Sequence, residues 1–276
     1  PMRAGWPSVT AAAVSVARGV GVPGLPRDAW ASRLLPAPLS TLVRLGARPG
    51  ARDLARLASF GTVDHMALRT AALDAALLES APEQLVILGA GLDARALRLP
   101  GLADTPVFEV DHPDTQRSKR AALRDVPPTL HFVGVDFARD DLGLALERAG
   151  HDATRSTFFL WEGVTMYLPA AAAEATMKVV RERATRGSVL GFTYVIPELM
   201  PGLPPALQRA AHLGFRALGE EVVGAMSEPQ AHALAKRAGF VVLHDTSNVE
   251  WASTFGRPWF PCVFYSGERL LVARRE

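Results

Sequence analysis

The chain of 276 residues is long enough to bury one large core, and 49% hydrophobic with 21% charged is the composition of an ordinary globular protein. A net charge of +2, with no block of clustered Lys or Arg among aromatics, excludes a dedicated nucleic-acid surface, and nothing approaches the ~18 apolar residues of a membrane span. The one cysteine, Cys262, cannot close an intrachain disulfide, and its strand-like neighbourhood suits a buried structural thiol in a reducing cytoplasm.

The N-terminal third reads as helical. Val9 to Ala17 is apolar and follows Arg3, the outline of a signal-peptide core, but Arg18 ends the run too soon. Val9, Ala12, Ala13, Val16 and Val20 instead fall at helical spacing. Pro and Gly punctuate helical segments at residues 8–20, 27–35, 39–45, 52–59 and 61–80. In the last of these, Met66, Ala67, Thr70, Leu73, Leu77 and Leu78 give an apolar face that Arg69 and Asp74 interrupt. Base rates read Arg69 as an exposed helix charge or a partner of Asp74.

Next, Leu85-Val86-Ile87-Leu88 runs into Gly89-Ala90-Gly91, a strand followed by a Gly-rich turn and a helix start. A side chain at either glycine would block positive φ or hold the backbone away from a ligand, although such a turn also occurs as a plain tight connection. A strand over 106–110 ends in Glu109-Val110-Asp111, which brings an acid twenty residues after Gly91, where a carboxylate can bind ribose hydroxyls. Strands over 130–135 and 157–161 end in Asp136-Phe137 and Glu162-Gly163, and a fifth covers 188–193. Helices near 93–98, 113–124, 140–149 and 169–185 separate them, the rhythm of a doubly wound, mostly parallel α/β sheet. Each acid alone reads as a helix cap or a solvated loop group; together they mark one ligand-binding edge.

These segments carry a resemblance. Ser8-Val9-Thr10-Ala11 with Ala17-Arg18, Arg69-Thr70 with Asp74, Leu88 to Arg95, Glu109-Val110-Asp111-His112-Pro113, Val135-Asp136-Phe137 and Glu162-Gly163-Val164-Thr165-Met166-Tyr167-Leu168-Pro169 run in order. The chain resembles a class I S-adenosylmethionine-dependent methyltransferase of the leucine carboxyl methyltransferase-like group, in its bacterial branch. The resemblance implies a seven-stranded Rossmann-like sheet with an antiparallel last strand. It also implies S-adenosylmethionine as cofactor, S-adenosylhomocysteine as product and no metal. It places Gly89, Ala90 and Gly91 against the cofactor, Asp111 on the ribose and Asp136 with Phe137 at the adenine. Arg69 would hold the methionine carboxylate, with Glu162 at the same end.

The chain then reads as one domain: a helical extension over 1–83, a cofactor-binding core over 84–194, an inserted cap over 195–226 and the end of the sheet over 227–276. The cap is Pro- and Gly-rich before a helix over 206–218, on which Arg209 and Arg216 could share a face toward an acceptor. Its apolar stretches, Leu203 to Leu207 and Leu213 to Phe215, suit a small hydrophobic acceptor, with Trp161 and Tyr194 as the pocket floor. A helix over 228–238, a strand over 240–245 and strands over 262–265 and 269–273 complete the reading.

The expected reaction is methyl transfer to an oxygen of a small molecule, in secondary metabolism, without nucleic-acid or membrane partners. A carboxylate acceptor is already ionised and needs no base; a hydroxyl needs one, and His65, His112 and His212 are the candidates. Three other readings compete. Gly89-x-Gly91-x-x-Ala94 with its acid also satisfies an NAD(P)-dependent oxidoreductase fingerprint, but such a fingerprint usually opens a chain and here some eighty residues precede it. A protein carboxyl methyltransferase and a non-catalytic binder are the others.

Overall fold

Continuous apolar strands dictate a sheet covered on both faces, and that is the architecture found in the computed structural model, which describes residues 9–137, 139–198, 200–202, 204, 206–209, 213, 216, 221–256 and 265–276. Helices α1 (Val9–Val20), α2 (Ala31–Leu34), α3 (Ala37–Gly46), α4 (Ala51–Ala58) and α5 (Thr62–Ser80) precede β1 (Gln84–Leu88). The expected helix over 27–35 shrinks to α2: Asp28 accepts the Trp30 N–H at 2.8 Å, a local turn that competes with the helix, and Leu35 precedes Pro36.

After β1 come α6 (Arg95–Arg98), β2 (Val107–Asp111), α7 (Pro113–Ala122), β3 (Leu130–Gly134), α8 (Leu142–Arg148), β4 (Thr157–Trp161), α9 (Ala170–Arg183) and β5 (Val189–Val195). The chain continues through α10 (Glu228–Arg237), β6 (Phe240–Ser247), α11 (Asn248–Phe255) and β7 (Glu268–Arg275). The order is β3-β2-β1-β4-β5-β7-β6, with β1 to β5 parallel and β7 antiparallel to both β5 and β6.

Alternation along the strands feeds two cores. Leu88, Phe108, Val110, Phe159, Trp161, Phe192 and Tyr194 pack on one face with Leu146, Met177 and Leu234. Leu85, Ile87, Val107, Phe158 and Leu160 pack on the other with Leu68, Leu73, Leu77 and Trp251. Because α5 leads through a short connection into β1, it runs back along the sheet, and its first turns lie at the edge formed by the carboxyl ends of the parallel strands.

One helix lies outside every expected element, and one expectation needs correction. Residues 248–255 form α11, opened by a capping box in which Ser247 and Glu250 satisfy each other's turn. Tyr265 stands ahead of β7 rather than in a strand; Cys262 and the rest of the strand expected at 262–264 lie outside the described residues. In the expected cap, residues 206–209 are helical, Arg209, Arg216, Leu207 and Leu213 are exposed, and His212, Leu203 and Phe215 lie outside the described residues.

Candidate functional site

The sheet reverses its order between β1 and β4, and ligands of open α/β sheets sit at the carboxyl ends of the strands at such a switch point. Gly89 and Gly91 follow β1, Asp111 ends β2, Asp136 follows β3 and Glu162 follows β4, so the parallel registers bring all of them to that edge. Antiparallel pairing adds a residue from far along the chain. Glu268, first in β7, sits opposite Val195, last in β5.

The turn after β1 has Gly89 at φ 69 and Gly91 at φ 49, left-handed values that favour glycine. A Cβ on Gly89 would stand 2.5 Å from Val164 Cγ2, whereas one on Gly91 would meet, among the described residues, only the Ala11 methyl, at 3.8 Å. The backbone at Gly91 is therefore open to close approach, as a nucleoside requires. Asp111 shapes this turn: its Oδ2 accepts the Gly91 N–H at 2.6 Å and its Oδ1 the His112 N–H at 2.6 Å. His112 caps α7, its Nδ1 accepting the Asp114 N–H at 3.3 Å. Asp136 is half-buried with Arg139 Nε 3.7 Å away, and Phe137 packs against the core beside it.

The centre of the site is ionic. Glu162, its side chain 5% exposed, binds Arg18 of α1, Arg69 Nε at 2.7 Å and Arg95 Nη1 at 2.8 Å. Arg69 Nη1 also donates to Glu268 Oε1 at 2.7 Å. Arg95 bonds Asp93 and, through Nε, Asp74 Oδ1 at 2.9 Å; Arg98 grips Asp74 in a fork with Nη1 at 2.6 Å and Nη2 at 2.8 Å. Glu162 is presented by a turn in which Gly163, at φ 67, donates its N–H to Thr193 Oγ1 at 2.8 Å. Among the described residues, Arg95 Nη2 and Arg18 Nε are buried without a hydrogen-bond partner, and Glu162 Oε2 has only its ion pair with Arg95.

Arg69 is thus neither exposed nor a partner of Asp74. Five positions separate the two, about 140° around a helix, so they leave α5 in different directions. Trp161 and Tyr194 are fully buried in the core, the Tyr194 hydroxyl donating to Asp245 Oδ2 at 2.8 Å, so neither has surface to offer a pocket floor. His65 is also buried, with Nε2 2.6 Å from Glu268 Oε2. Arg18, Arg95 and Asp93 stand in the matching segments without having been given a role, and Glu268 has no local signal at all.

Burial pushes the Glu162 carboxyl up, and Arg18, Arg95 and Arg69 more than reverse this, holding it well below 4.5. For Glu268, burial is likewise outweighed, by Arg69 and His65, to about 2. Both folded-state values are depressed, so the stabilisation is present above the unfolded value of 4.5 and is lost as pH falls through the folded values. Urea midpoints should therefore drop as pH falls between about 4.5 and 2. The drop should be shallower in Glu268→Gln; a midpoint constant over that window would count against the network.

Buried Glu109 behaves differently. Desolvation pushes its carboxyl up to about 7 against the pull of Lys119, whose Nζ lies 2.6 Å from Oε2.

The leucine carboxyl methyltransferase family model matches residues 8–181, most of the helical extension and the sheet through β4 and α9. A candidate S-adenosyl-L-methionine-dependent methyltransferase of Mycolicibacterium gilvum is 37% identical over 71% of this chain and 66% of its own length, just under two thirds. Another from Streptomyces coelicolor is 34% identical over 67% of this chain and 70% of its own. Among solved structures, a candidate methyltransferase from Thermobifida fusca superposes with a TM-score of 0.58 at 19% identity, covering 99% of this chain and 96% of that one. A DUF574-family protein from Streptomyces avermitilis gives 0.62 at 13% identity over 83% and 91%. These last two speak for the fold. Among the described residues no group of three or more His, Cys, Asp or Glu could hold a metal ion, and no helix is long and apolar enough to cross a membrane. The carboxyl-edge turns, the matched segments and the relatives favour a sulfonium cofactor over a dinucleotide, and the chain belongs to the leucine carboxyl methyltransferase family of S-adenosyl-L-methionine-dependent methyltransferases.

Proposed function

We propose that the chain transfers the methyl group of S-adenosylmethionine to an oxygen of a small molecule, a carboxylate or a hydroxyl, in secondary metabolism. The observation that carries this reading is the meeting of Gly89, Gly91, Asp111, Asp136, Glu162 and Arg69 at one sheet edge. S-Adenosylmethionine supplies a methyl already activated on sulfur, which leaves alignment and exclusion of water to the protein. In this assignment Gly89, Ala90 and Gly91 meet the nucleoside through backbone, Asp111 accepts from the ribose hydroxyls, and Asp136 and Phe137 hold the adenine. Arg69 and Glu162 take the zwitterionic methionine end. Glu162, kept anionic by its arginines, suits the ammonium; Arg69 suits the carboxylate. The cap over 195–226, with Arg209 and Arg216, would contact the acceptor.

Asp111→Ala should weaken S-adenosylmethionine binding about tenfold or more in calorimetric titration, the loss of a charge-assisted bond worth ~1.5–3 kcal/mol. Unchanged affinity would remove Asp111 from the ribose. Transfer itself is tested with small carboxylic acids and phenols followed by hydroxide: a labile methyl marks an ester and a stable one an ether. Methylation confined to protein or RNA would overturn the small-molecule reading, and binding of NAD in place of S-adenosylmethionine would overturn the whole of it.

A further inference from the structure

Helix α7 docks on the sheet through polar side chains. Its buried residues are Gln116 and Lys119, three positions apart and therefore on one face, and neither is apolar. Gln116 Nε2 donates to the carbonyls of Glu109 at 2.6 Å and Val133 at 2.9 Å, which ties the helix to β2 and β3. Lys119, 1% exposed, extends further: its Nζ reaches Glu109 Oε2 at 2.6 Å and donates to the backbone carbonyl of Asp93. Lysine is almost never buried to this degree unless it is paired.

As an ion pair alone this contact is a poor one. Glu109 Oε1 is buried without a hydrogen-bond partner among the described residues. Burial outweighs the pull of Lys119 and pushes the carboxyl up to about 7, with nearby Asp93 and Asp111 adding to the push, so the ionised group is worse off in the fold than in water. Replacing an imperfect buried pair by apolar residues of similar volume is often neutral or stabilising. What an apolar pair could not supply is the second bond of Nζ, the one to Asp93.

Asp93 closes the turn that follows β1. Its N–H donates to Ala90 O at 2.7 Å and its Oδ1 accepts the Arg95 N–H at 2.7 Å. The first half of the turn is pinned to β2, because the Gly89 and Ala90 N–H groups reach Val110 O at 2.8 and 3.0 Å and the Gly91 N–H reaches Asp111. The far end is joined to α7 instead, through Lys119 and the Asp93 carbonyl. Glu109 stands two residues before Asp111 and α7 begins two residues after it, so one ammonium gathers turn, strand and helix around the residue assigned to the ribose.

We infer that Lys119 is a positioning residue of the cofactor site: its ammonium holds the Asp93 carbonyl, and with it the turn from Gly89 to Asp93, in the conformation that meets the nucleoside of S-adenosylmethionine, and Glu109 orients that ammonium. This rests on the methyltransferase reading and adds to it two buried residues that touch neither cofactor nor acceptor. Glu109 serves in either of its protonation states, since both offer Nζ an accepting oxygen. Lys119 exchanges no proton with a ligand and acts through the backbone alone. A turn held in its binding conformation before the ligand arrives binds more tightly, so loss of the tether is read in cofactor affinity.

The test separates affinity from stability. Lys119→Met removes the ammonium at nearly constant length, and in calorimetric titration its affinity should fall about tenfold, by the same factor for S-adenosylhomocysteine and for 5′-methylthioadenosine, which lacks the amino-acid end. Glu109→Leu with Lys119→Met is the decisive variant. With both ions gone the urea midpoint should recover from that of Lys119→Met, yet affinity should stay reduced about tenfold, because the Asp93 carbonyl still has no donor. A counter-ion role alone would restore both together. Hydrogen exchange of the ligand-free chain gives a second reading: amides of residues 89–95 should exchange about tenfold faster in both variants, while those of β4 keep their rates. Affinity that recovers with stability, a Lys119→Met chain that binds as tightly as wild type, or unchanged exchange in the turn overturns the inference. So does a loss confined to S-adenosylhomocysteine, which would belong to the amino-acid end. A wild-type chain that binds neither S-adenosylmethionine nor S-adenosylhomocysteine instead removes the methyltransferase reading, and the exchange rates still decide whether Lys119 holds the turn.

Discussion

Glu162→Leu should destabilise the protein by about 3–5 kcal/mol in urea unfolding, the cost of breaking a buried ion pair from one side. The reason lies in what the substitution leaves behind. Arg69 keeps Glu268, and Arg95 keeps Asp93 and Asp74, but Arg18 loses the only carboxylate it bonds among the described residues. Its Nε is already buried without a partner among the described residues, so a whole guanidinium would be stranded between α1 and the sheet. Removing the charge at both ends isolates this cost: Arg18→Met with Glu162→Leu should recover part of the loss. A Glu162→Leu protein within about 1 kcal/mol of wild type would mean that the pairs at Glu162 carry little stability.

Gly89→Ala should be the other severe change, at about 2–5 kcal/mol, and it separates into two physical parts. Holding alanine at φ 69 costs roughly 1–2 kcal/mol. Placing its methyl 2.5 Å from Val164 Cγ2, on a side chain packed against the main core, adds roughly 1–3 kcal/mol of overpacking. Val164→Ala relieves the second part and cannot touch the first. A double-mutant cycle should therefore return a coupling of about 1–3 kcal/mol, and strict additivity would show that the turn gives way elsewhere. Binding of S-adenosylmethionine should weaken in Gly89→Ala and recover only in part in the double variant, because the dihedral strain remains in the turn that meets the nucleoside.

The parallel half of the sheet could be read from the chain because its strands are buried on both faces. Runs such as Leu85-Val86-Ile87-Leu88 and Phe158-Phe159-Leu160-Trp161 need no partner to be recognised, and each ends in a residue type that cannot continue the apolar pattern. Gly89, Gly91, Asp111 and Glu162 were legible for the same reason. Strand direction was not: periodicity is blind to it, and the antiparallel β7 was expected only through family resemblance. Helix α11 lies outside every expected element although Ser247 and Glu250 spell out a capping signature. The charge network was the least legible part. Arg69, on base rates an exposed helix charge, is 4% exposed because its partners, Glu162 and Glu268, lie 93 and 199 residues away. Trp161 and Tyr194 show the converse: an aromatic at a strand's carboxyl end can simply close the core.

Those separations also set an order of events. Arg18 meets Glu162 across 144 residues, and His65 and Arg69 meet Glu268 across 203 and 199. At a synthesis rate of about 5–20 residues per second, Arg69 leaves the ribosome's active centre roughly 10–40 s before Glu268 is made. During that interval the five parallel strands can form, yet the arginines at their edge remain hydrated and the His65 ring has no carboxylate to orient it. Assembly of the edge thus waits on β7, whose antiparallel insertion between β5 and β6 is a high-contact-order step, and a nascent chain carries the nucleoside-facing turns well before it has a working centre.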